Sequence, residues 1–217
     1  MDMEEKRAYS RLYQGLCRWD ARIPCGSLPP QQVSALLKQI LMDHPELAHF
    51  EGKWEYRDGI CPRYVLEPEQ VRQMMAAAKE CSSTLAGEDY PKRVYKWLLD
   101  AVAYDQLAPH SQNAYGALVE QKAVCKGIAK AYQLLMGLGK IPCILVEGTL
   151  DGMTKHVWNM IYINGNWLHV DVTMGYPCFR HFVGAQDVWG GYLLNTETIS
   201  RSHGIRNVQN LPKEERR

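Results

Sequence analysis

One of the seven cysteines stands where a thiol becomes reactive. Cys125 precedes a run of apolar residues at helical spacing, which places it in the first turn of a helix. The positive end of the helix dipole favours a thiolate there, as do Lys122 and Lys126. Gly127 leaves room for another backbone or a substrate to approach closely. Cysteine is also a common packing residue at the start of a buried helix, so this position alone is weak support for a nucleophile.

A histidine and an aspartate further along the chain could activate this thiol. Asn164-Gly165 lies between two β-prone runs and is typical of a two-residue hairpin loop. If Ile163 pairs with Asn166, alternation puts His156 and Asp171 on one face of the sheet. They are then diagonal neighbours, about 7–8 Å apart at the backbone, which their side chains can bridge.

The same register predicts the surroundings of that pair. It places Trp158 opposite Asp171, and Thr173 opposite His156. Trp158, Trp167 and Thr173 are predicted to line a substrate cleft, with the two indoles excluding water. The carboxylate would orient the imidazole, whose other nitrogen would take the thiol proton. The alternative is that the histidine and the aspartate are only a polar pair at a sheet edge.

The elements that position these residues are helices followed by a sheet. Apolar periodicity predicts helices over 9–16, 33–41, 71–85 and 94–102, with a hairpin around Asp58-Gly59. A helix from about 125 to 138 is followed by three β-prone runs within 141–173, and the remainder from 174 is irregular. This order predicts an α+β fold. We expect a helical N-terminal region over 1–104, packed on a catalytic core over 105–217.

Bulk composition excludes several functions. The chain has 217 residues, 46% hydrophobic and 23% charged, which suits one globular domain or one domain with a small helical annex. A net charge of +1 gives no field that would recruit nucleic acid or an anionic membrane. No run approaches the ~20 apolar residues of a membrane span, and the N-terminus has no secretory core. A cytoplasmic protein is predicted, with a solvated charged tail at 213–217 and, because the cysteines are scattered, no disulfide framework.

Two stretches of the sequence resemble the core of the transglutaminase-like superfamily, namely KAVCKGIAKAYQLLMGLGKIPCILVEG and KHVWNMIYINGNWLHVDVT. In that family a cysteine opens a buried helix, a histidine begins the next-but-one strand, and an aspartate lies on the strand after it. Cys125, His156 and Asp171 occupy those positions in that order. The segments NAYGALVEQKAV and YLLNTETISRSH, and the MDHPEL…Y…Y layout over 42–64, are similar to bacterial members. The likeness touches nearly the whole chain and is most specific over 112–173.

The resemblance implies a papain-like reaction. A thiolate attacks an amide carbonyl, a thioester forms, and water or an amine releases the acyl group. The oxyanion would be held by the backbone N–H of Cys125 and by one upstream donor, for which Gln112, Asn113 and Tyr115 are the candidates. The expected substrate is a peptide or protein amide, with hydrolysis favoured over amine cross-linking. No metal or cofactor is expected, because the acidic loops of calcium-dependent transglutaminases are absent.

This chain departs from the family pattern at three places. Gln121 stands where bacterial members usually have glycine, and Lys126 stands where an acidic or amide residue is common. The sequence after the aspartate's strand reads Met174-Gly175-Tyr176-Pro177 in place of an aromatic and acidic pair. The resemblance therefore does not predict the path of the loop before Cys125 or the residues that form the wall of the cleft.

Two other functions compete with the enzyme hypothesis. His169, Asp171, Cys178 and His181 are close in sequence, and Cys178-x-x-His181 has the spacing of zinc ligands. A transglutaminase-like domain can also serve as a binding or scaffold module that has lost catalysis. Retention of all three chemical positions favours activity over that second alternative.

Overall fold

The computed structural model describes residues 1–206 and 211–212. The chain divides into two compact units, Met1–Arg72 and Gln73–Arg217. The division into an N-terminal region over 1–104 and a core over 105–217 stays a prediction, and the charged run at 213–217 lies outside the described residues. Within the described ranges, no helix is both long enough and apolar enough to cross a membrane.

The elements follow the predicted order of helices and then a sheet. The helices are α1 (Met3–Cys17), α2 (Pro30–Asp43), α3 (Pro68–Leu85), α4 (Tyr90–Ala101), α5 (Cys125–Leu138) and α6 (Thr196–Ile199). The strands are β1 (Phe50–Tyr56), β2 (Ile60–Tyr64), β3 (Ala103–Tyr104), β4 (Lys122–Ala123), β5 (Cys143–Leu150), β6 (Thr154–Ile163), β7 (Asn166–Val170) and β8 (His203–Ile205).

In the first unit, α1, α2 and the hairpin β1–β2 enclose an apolar core. The side chain of Asp2 accepts the backbone N–H of Glu5, and the side chain of Glu5 accepts the backbone N–H of Asp2. These two bonds form a capping box at the start of α1. The apolar stripes of the two helices meet the first residues of the two strands in one cluster. The helices predicted over 9–16 and 33–41 and the hairpin around residue 58 are confirmed.

In the second unit, α5 packs on a four-stranded antiparallel sheet of order β7-β6-β5-β8. Asn164 and Gly165 have φ values of 52° and 80°, as a tight hairpin turn requires, and Ile163 pairs with Asn166. The predicted α+β fold is confirmed, including the buried helix that begins at Cys125 and lies against an antiparallel sheet.

The predicted register holds only as far as the pair Asn159–Val170. The next residue, Asp171, donates its N–H to the carbonyl of Gly191 at 2.7 Å, on the side of the strand that faces away from β6, as His169 does to Leu194. The chain then enters a 3₁₀ turn over Val172–Gly175. The predicted pairs Trp158–Asp171 and His156–Thr173 were therefore wrong, because the chain leaves β6 at this turn. Only glycine fits at 191, where a Cβ would lie 2.0 Å from the carbonyl oxygen of Asp171.

The segment after residue 174, predicted as irregular, contains the short helix α6 and the edge strand β8. His203 pairs with Leu150 and Ile205 with Gly148, so β8 extends the sheet beside β5. A three-residue strand with glycine at its centre has no alternation that could be read from the sequence. This strand nonetheless places His203 near Asp171, the residue that follows β7.

The loop before Cys125 lies directly against the first turn of α5. At Gly127 a Cβ would come within 2.3 Å of the carbonyl oxygen of Ser111, so the predicted close approach is made by backbone. A π-helical turn over Gly116–Glu120 follows, and Gln121 after it has a φ of 54°. Gln121 thus takes the left-handed conformation in which glycine is least strained.

Candidate active site

Cys125 is the first residue of α5, and its side chain is partly exposed. Burial raises the pKa of its thiol, but a hydrogen bond from His156 and the charge of that imidazole lower it by more. A backbone hydrogen bond at Val157 acts in the same direction. The pKa of Cys125 therefore lies below its ordinary value, and the thiolate is favoured.

His156 lies on β6 and is buried between the thiol and a carboxylate. Its Nε2 is 2.6 Å from Oδ2 of Asp171, and because a carboxylate only accepts, the imidazole is the donor. Burial lowers the pKa of His156, but the charge and hydrogen bond of Asp171, together with Cys125, raise it to about 10. The pair therefore fits the imidazolium state, with Nδ1 left to face the thiolate.

Asp171 follows β7, is 1% exposed, and accepts hydrogen bonds on both carboxylate oxygens. The backbone N–H of Thr173 donates to Oδ1 at 2.9 Å, and His156 donates to Oδ2. A second imidazole, His203, donates to the same Oδ2 at 3.0 Å. Burial raises the pKa of Asp171, but the two histidines lower it further than burial raises it, so it stays well below the ordinary range. Asp171 is a fixed negative charge.

Sequence reasoning missed His203. It lies on β8, is 2% exposed, and its Nδ1 is 2.8 Å from Oγ of Ser202. Its ring also packs edge-on against Trp158, with centroids 4.8 Å apart. Since β8 pairs with β5 across the sheet, the sequence spacing to Asp171 gives no indication of this contact.

The three predicted cleft residues differ in exposure. Trp158 is 1% exposed and stacks on His156 with ring centroids 5.8 Å apart. Its indole N–H donates to Nδ1 of His169 at 2.9 Å. Trp167 is partly buried against the small apolar cluster that contains Trp158, and Thr173 is 1% exposed. Trp158 thus supports the imidazole from within the core, and the assignment of these three residues to a substrate cleft stays a prediction.

Sequence reasoning also missed Tyr104, which is half-buried beside the thiol. Its hydroxyl lies close enough to the backbone and the side chain of Cys125 to interact with both. Burial and the nearby thiolate raise its pKa well above the ordinary value, so the phenol stays protonated. Its ring contacts Phe179 and Tyr176, with centroid distances of 4.8 and 6.1 Å. In the sequence, Tyr104 was marked only by its position two residues after the predicted helix over 94–102.

The three predicted oxyanion donors lie in the loop before Cys125 in different environments. Gln112 is exposed, whereas Asn113 and Tyr115 are buried. The side-chain oxygen of Asn113 accepts the backbone N–H groups of Tyr115 and Gly116 at 3.0 and 3.2 Å. Asn113 thereby shapes the turn that leads to the cysteine, and the choice among the three donors stays a prediction.

Two sets of residues carry side chains that can ligate a metal. Among the described residues, His156, Asp171 and His203 form a group whose ligand atoms lie within 4.8 Å of one another. Ligands at about 2.0–2.1 Å around tetrahedral zinc would be separated by roughly 3.3 Å. The 2.6 Å contact from His156 to Asp171 is instead a direct hydrogen bond.

The residues considered from sequence for zinc are not gathered in one place. His169 is buried, accepts the indole N–H of Trp158, and lies 3.1 Å from Oγ1 of Thr196. Cys178 and His181 are exposed, and Asp171 is bonded to His156 and His203. Cys178 and His181 therefore do not join Asp171 and His169 in a common group of ligands.

Comparison with known proteins finds a family that part of this chain resembles. A sequence model of the Transglutaminase-like superfamily matches residues 74–172. Human kyphoscoliosis peptidase is 25% identical over 100 residues, which cover 39% of this chain and 15% of that protein. The chain thus matches only a small part of this curated relative.

Solved structures give weaker similarities. A crystal structure of a TGase has 16% identity over 48% of this chain and 31% of that chain, with a TM-score of 0.39. A proposed cysteine protease from Cytophaga hutchinsonii has 24% identity over 48% of this chain and 37% of that chain, also with a TM-score of 0.39. The fold is α+β, and residues 74–172 resemble the Transglutaminase-like superfamily in sequence, as predicted.

Proposed function

We propose that this protein is an enzyme in which Cys125 attacks the carbonyl carbon of an amide, with His156 and Asp171 completing the catalytic site. The observation that carries the proposal is the buried 2.6 Å bond from His156 to Asp171, next to a thiol whose pKa is depressed by that same imidazole. An activated thiolate beside an imidazolium and an orienting carboxylate is the arrangement that acyl transfer through cysteine requires.

The reaction proceeds in two steps, acylation of Cys125 and hydrolysis of the thioester. The thiolate of Cys125 forms a C–S bond with the carbonyl carbon, and the carbonyl π electrons move onto oxygen. When this oxyanion collapses, the C–N bond breaks and the leaving amine takes the proton of the His156 imidazolium. Neutral His156 then removes a proton from water, which attacks the thioester, releases the carboxylic acid and regenerates the thiolate–imidazolium pair.

The hydroxyl of Tyr104 is a candidate for the second oxyanion donor, and it lies outside the loop that holds Gln112, Asn113 and Tyr115. Its hydroxyl lies beside the backbone of Cys125, where the first donor of an oxyanion hole would lie. An oxyanion formed at Cys125 would accept from both the backbone N–H and the hydroxyl. The raised pKa keeps the tyrosine O–H protonated and able to donate.

Hydrolysis of a peptide or protein amide is the preferred form of this reaction. Cys125 is partly exposed, so water can reach the thioester. The human relative is named a peptidase, which agrees with a protein substrate even though only 15% of that protein is matched. An enzyme that favours an amine acceptor must instead exclude water from the intermediate.

A library of acyl-amide probes, applied to the wild type and to Cys125→Ala, tests the proposal. We expect probe turnover and a thioester adduct detectable by mass spectrometry in the wild type only. Addition of a primary amine at millimolar concentration should divert less than half of the product from acid to amide. Equal labelling of the two proteins would refute the role of Cys125, and probe binding without an adduct would favour a silent binding module.

A further inference from the structure

The hydrogen bond from His203 to Asp171 is not used by any step described so far. His203 is buried, and its side chain directs Nε2 to Oδ2 of Asp171 at 3.0 Å. Nδ1 on the opposite side of the ring lies 2.8 Å from Oγ of Ser202, which restricts rotation of the imidazole. Burying a polar ring is costly unless both nitrogens are satisfied, and here both are.

The carboxylate would be incompletely held without this contact. The backbone N–H of Thr173 holds only Oδ1, and the backbone N–H of Asp171 is bonded to Gly191. Oδ2 is the oxygen that receives His156, so its position decides whether the catalytic imidazole is oriented. The ring of His203 approaches Oδ2 from β8, on the opposite edge of the sheet from β7.

We propose that His203 is a positioning residue that holds Oδ2 of Asp171 against His156 and thereby sustains the thiolate of Cys125; this inference rests on the proposed function. His203 acts through Asp171 and does not touch the reacting atoms. Its contribution resembles that of the outer hydrogen bonds around metal ligands, whose removal costs about 10- to 100-fold in activity.

Other titratable groups surround this pair from neighbouring elements. His156 faces His203 from β6, with ring centroids 5.5 Å apart. Tyr95 from α4 and Tyr104 from β3 both lie close enough to Asp171 for its charge to raise their pKa values. Neither tyrosine ionises in the ordinary range, so a change in the alkylation rate of Cys125 between pH 5 and 8 does not arise from them.

Loss of the imidazole would weaken the orientation of Asp171 in a definite way. Replacement by a small residue would leave a polar cavity between Ser202 and the carboxylate, which a water molecule could occupy. A mobile water would hold Oδ2 less firmly than the fixed imidazole does, so Oδ2 would be less well placed against His156 and the imidazolium would be less stabilised. The thiolate fraction of Cys125 at low pH would then fall.

The test measures the rate at which iodoacetamide alkylates Cys125 at pH 5–10, resolved from the other cysteines by peptide mass spectrometry. The variants are His203→Leu and His203→Gln, which both fill the site, while only glutamine offers an N–H near the position of Nε2. His203→Ala serves as a third variant if the leucine protein does not fold. We expect the rate at pH 6 to fall about tenfold in His203→Leu and to stay within about twofold of wild type in His203→Gln.

The possible outcomes separate this inference from the proposed function. If Cys125 of the wild type reacts at pH 6 no faster than the other exposed cysteines, the proposed function itself fails. If the wild type is fast and His203→Leu or His203→Ala is equally fast, only the role of His203 is overturned. A folded glutamine variant that is as slow as the leucine variant would also overturn it, because the loss would then follow ring packing and not the donated hydrogen bond.

Discussion

The hydroxyl of Tyr104 lies beside Cys125, close enough to interact with both its backbone and its thiol. The contact is set by a short parallel ladder in which Tyr104 pairs with Ala123, two residues before the cysteine. The ring is held on its other side by Tyr176 and Phe179. Tyr104 is thus fixed beside the place where a tetrahedral oxyanion would form.

We predict that Tyr104→Phe lowers kcat on an amide probe by about 10²- to 10³-fold, the usual effect of removing one oxyanion donor. The rate of Cys125 alkylation should change by less than about threefold, because iodoacetamide forms no oxyanion at the carbonyl. Steady-state kinetics and alkylation on the same preparation check both statements.

The matched control for this prediction is Tyr176→Phe. Tyr176 donates its hydroxyl to the carbonyl of Val102 at 2.6 Å, so the substitution removes a phenol from the same aromatic cluster but not from Cys125. We expect kcat to stay within about fivefold of wild type. If both variants lose activity equally, the tyrosine acts through packing and the oxyanion role is wrong.

The sequence predicts those parts of the site that local rules determine. The turn Asn164-Gly165 defines the pairing of β6 and β7, and this pairing brings His156 near Asp171. Cys125 at the start of a helix follows from apolar periodicity. In each case the residues that permit the prediction are close in sequence to the element that they predict.

The parts that sequence reasoning missed depend on contacts between distant segments. Tyr104 and His203 both lie on very short strands, β3 and β8, whose pairing partners are remote in the chain. The register beyond Val170 was also missed, because the chain enters a 3₁₀ turn over Val172–Gly175 and leaves β6. Strands of two or three residues have no periodicity, so tertiary hydrogen bonds decide where they lie.

We predict that Asp171→Asn lowers the alkylation rate of Cys125 at pH 6 by at least about 100-fold. The amide keeps the shape of the side chain but removes the charge that raises the pKa of His156, and its NH₂ group can face the imidazole N–H as a second donor. The peptide-resolved alkylation assay measures this effect.

Asp187→Asn is the control for the aspartate. Its carboxylate also accepts a backbone N–H, from Trp189 at 2.9 Å, but at an exposed position. Reactivity of Cys125 should be unchanged in this variant. Wild-type reactivity in a folded Asp171→Asn protein would contradict the assignment of the orienting carboxylate.

The pH dependence of stability distinguishes a thiolate–imidazolium pair from a neutral pair. The ordinary pKa values of histidine and cysteine are 6.5 and 9.0. Between them the unfolded chain carries one proton on these two groups, on the thiol. Once the folded thiol has ionised, the folded chain also carries one, on the imidazolium, because the pKa of His156 is raised and that of Cys125 is lowered. From the pH at which the folded thiol ionises up to 9.0, their joint contribution to the free energy of unfolding should therefore not change with pH.

Removal of the thiol changes that balance, so Cys125→Ala should behave differently. His156 would still be protonated in the folded state through Asp171 but neutral in the unfolded state above its ordinary pKa of 6.5. Its contribution is full below that pH and is lost as pH rises toward the folded pKa. We predict that the free energy of unfolding of Cys125→Ala falls relative to wild type by up to about 1.4 kcal/mol per pH unit between pH 7 and 8.5. Urea titrations of both proteins test this, and parallel curves would contradict the charged pair.

The final prediction compares two glycines of the same helix, α5. At Gly127 a Cβ would lie 2.3 Å from the carbonyl oxygen of Ser111, whereas at Gly137 nothing lies within 4 Å. Gly127→Ala must push the loop before Cys125 away from the helix, and we expect it to destabilise the protein by about 1–3 kcal/mol. Gly137→Ala meets no neighbour and should stabilise the helix by about 0.5–1 kcal/mol.

The loop carries the backbone that precedes Cys125, so the two variants should also differ in chemistry. The N–H of Val124 donates to the carbonyl of Ser111 at 3.0 Å, which ties the residue before the cysteine to the atom that an alanine at 127 would displace. Gly127→Ala should therefore lower probe turnover at temperatures where it is still folded, while Gly137→Ala should match wild type. Thermal unfolding measured alongside turnover separates the two effects. If Gly127→Ala were destabilised yet fully active when folded, the loop would support the fold without fixing the position of the nucleophile.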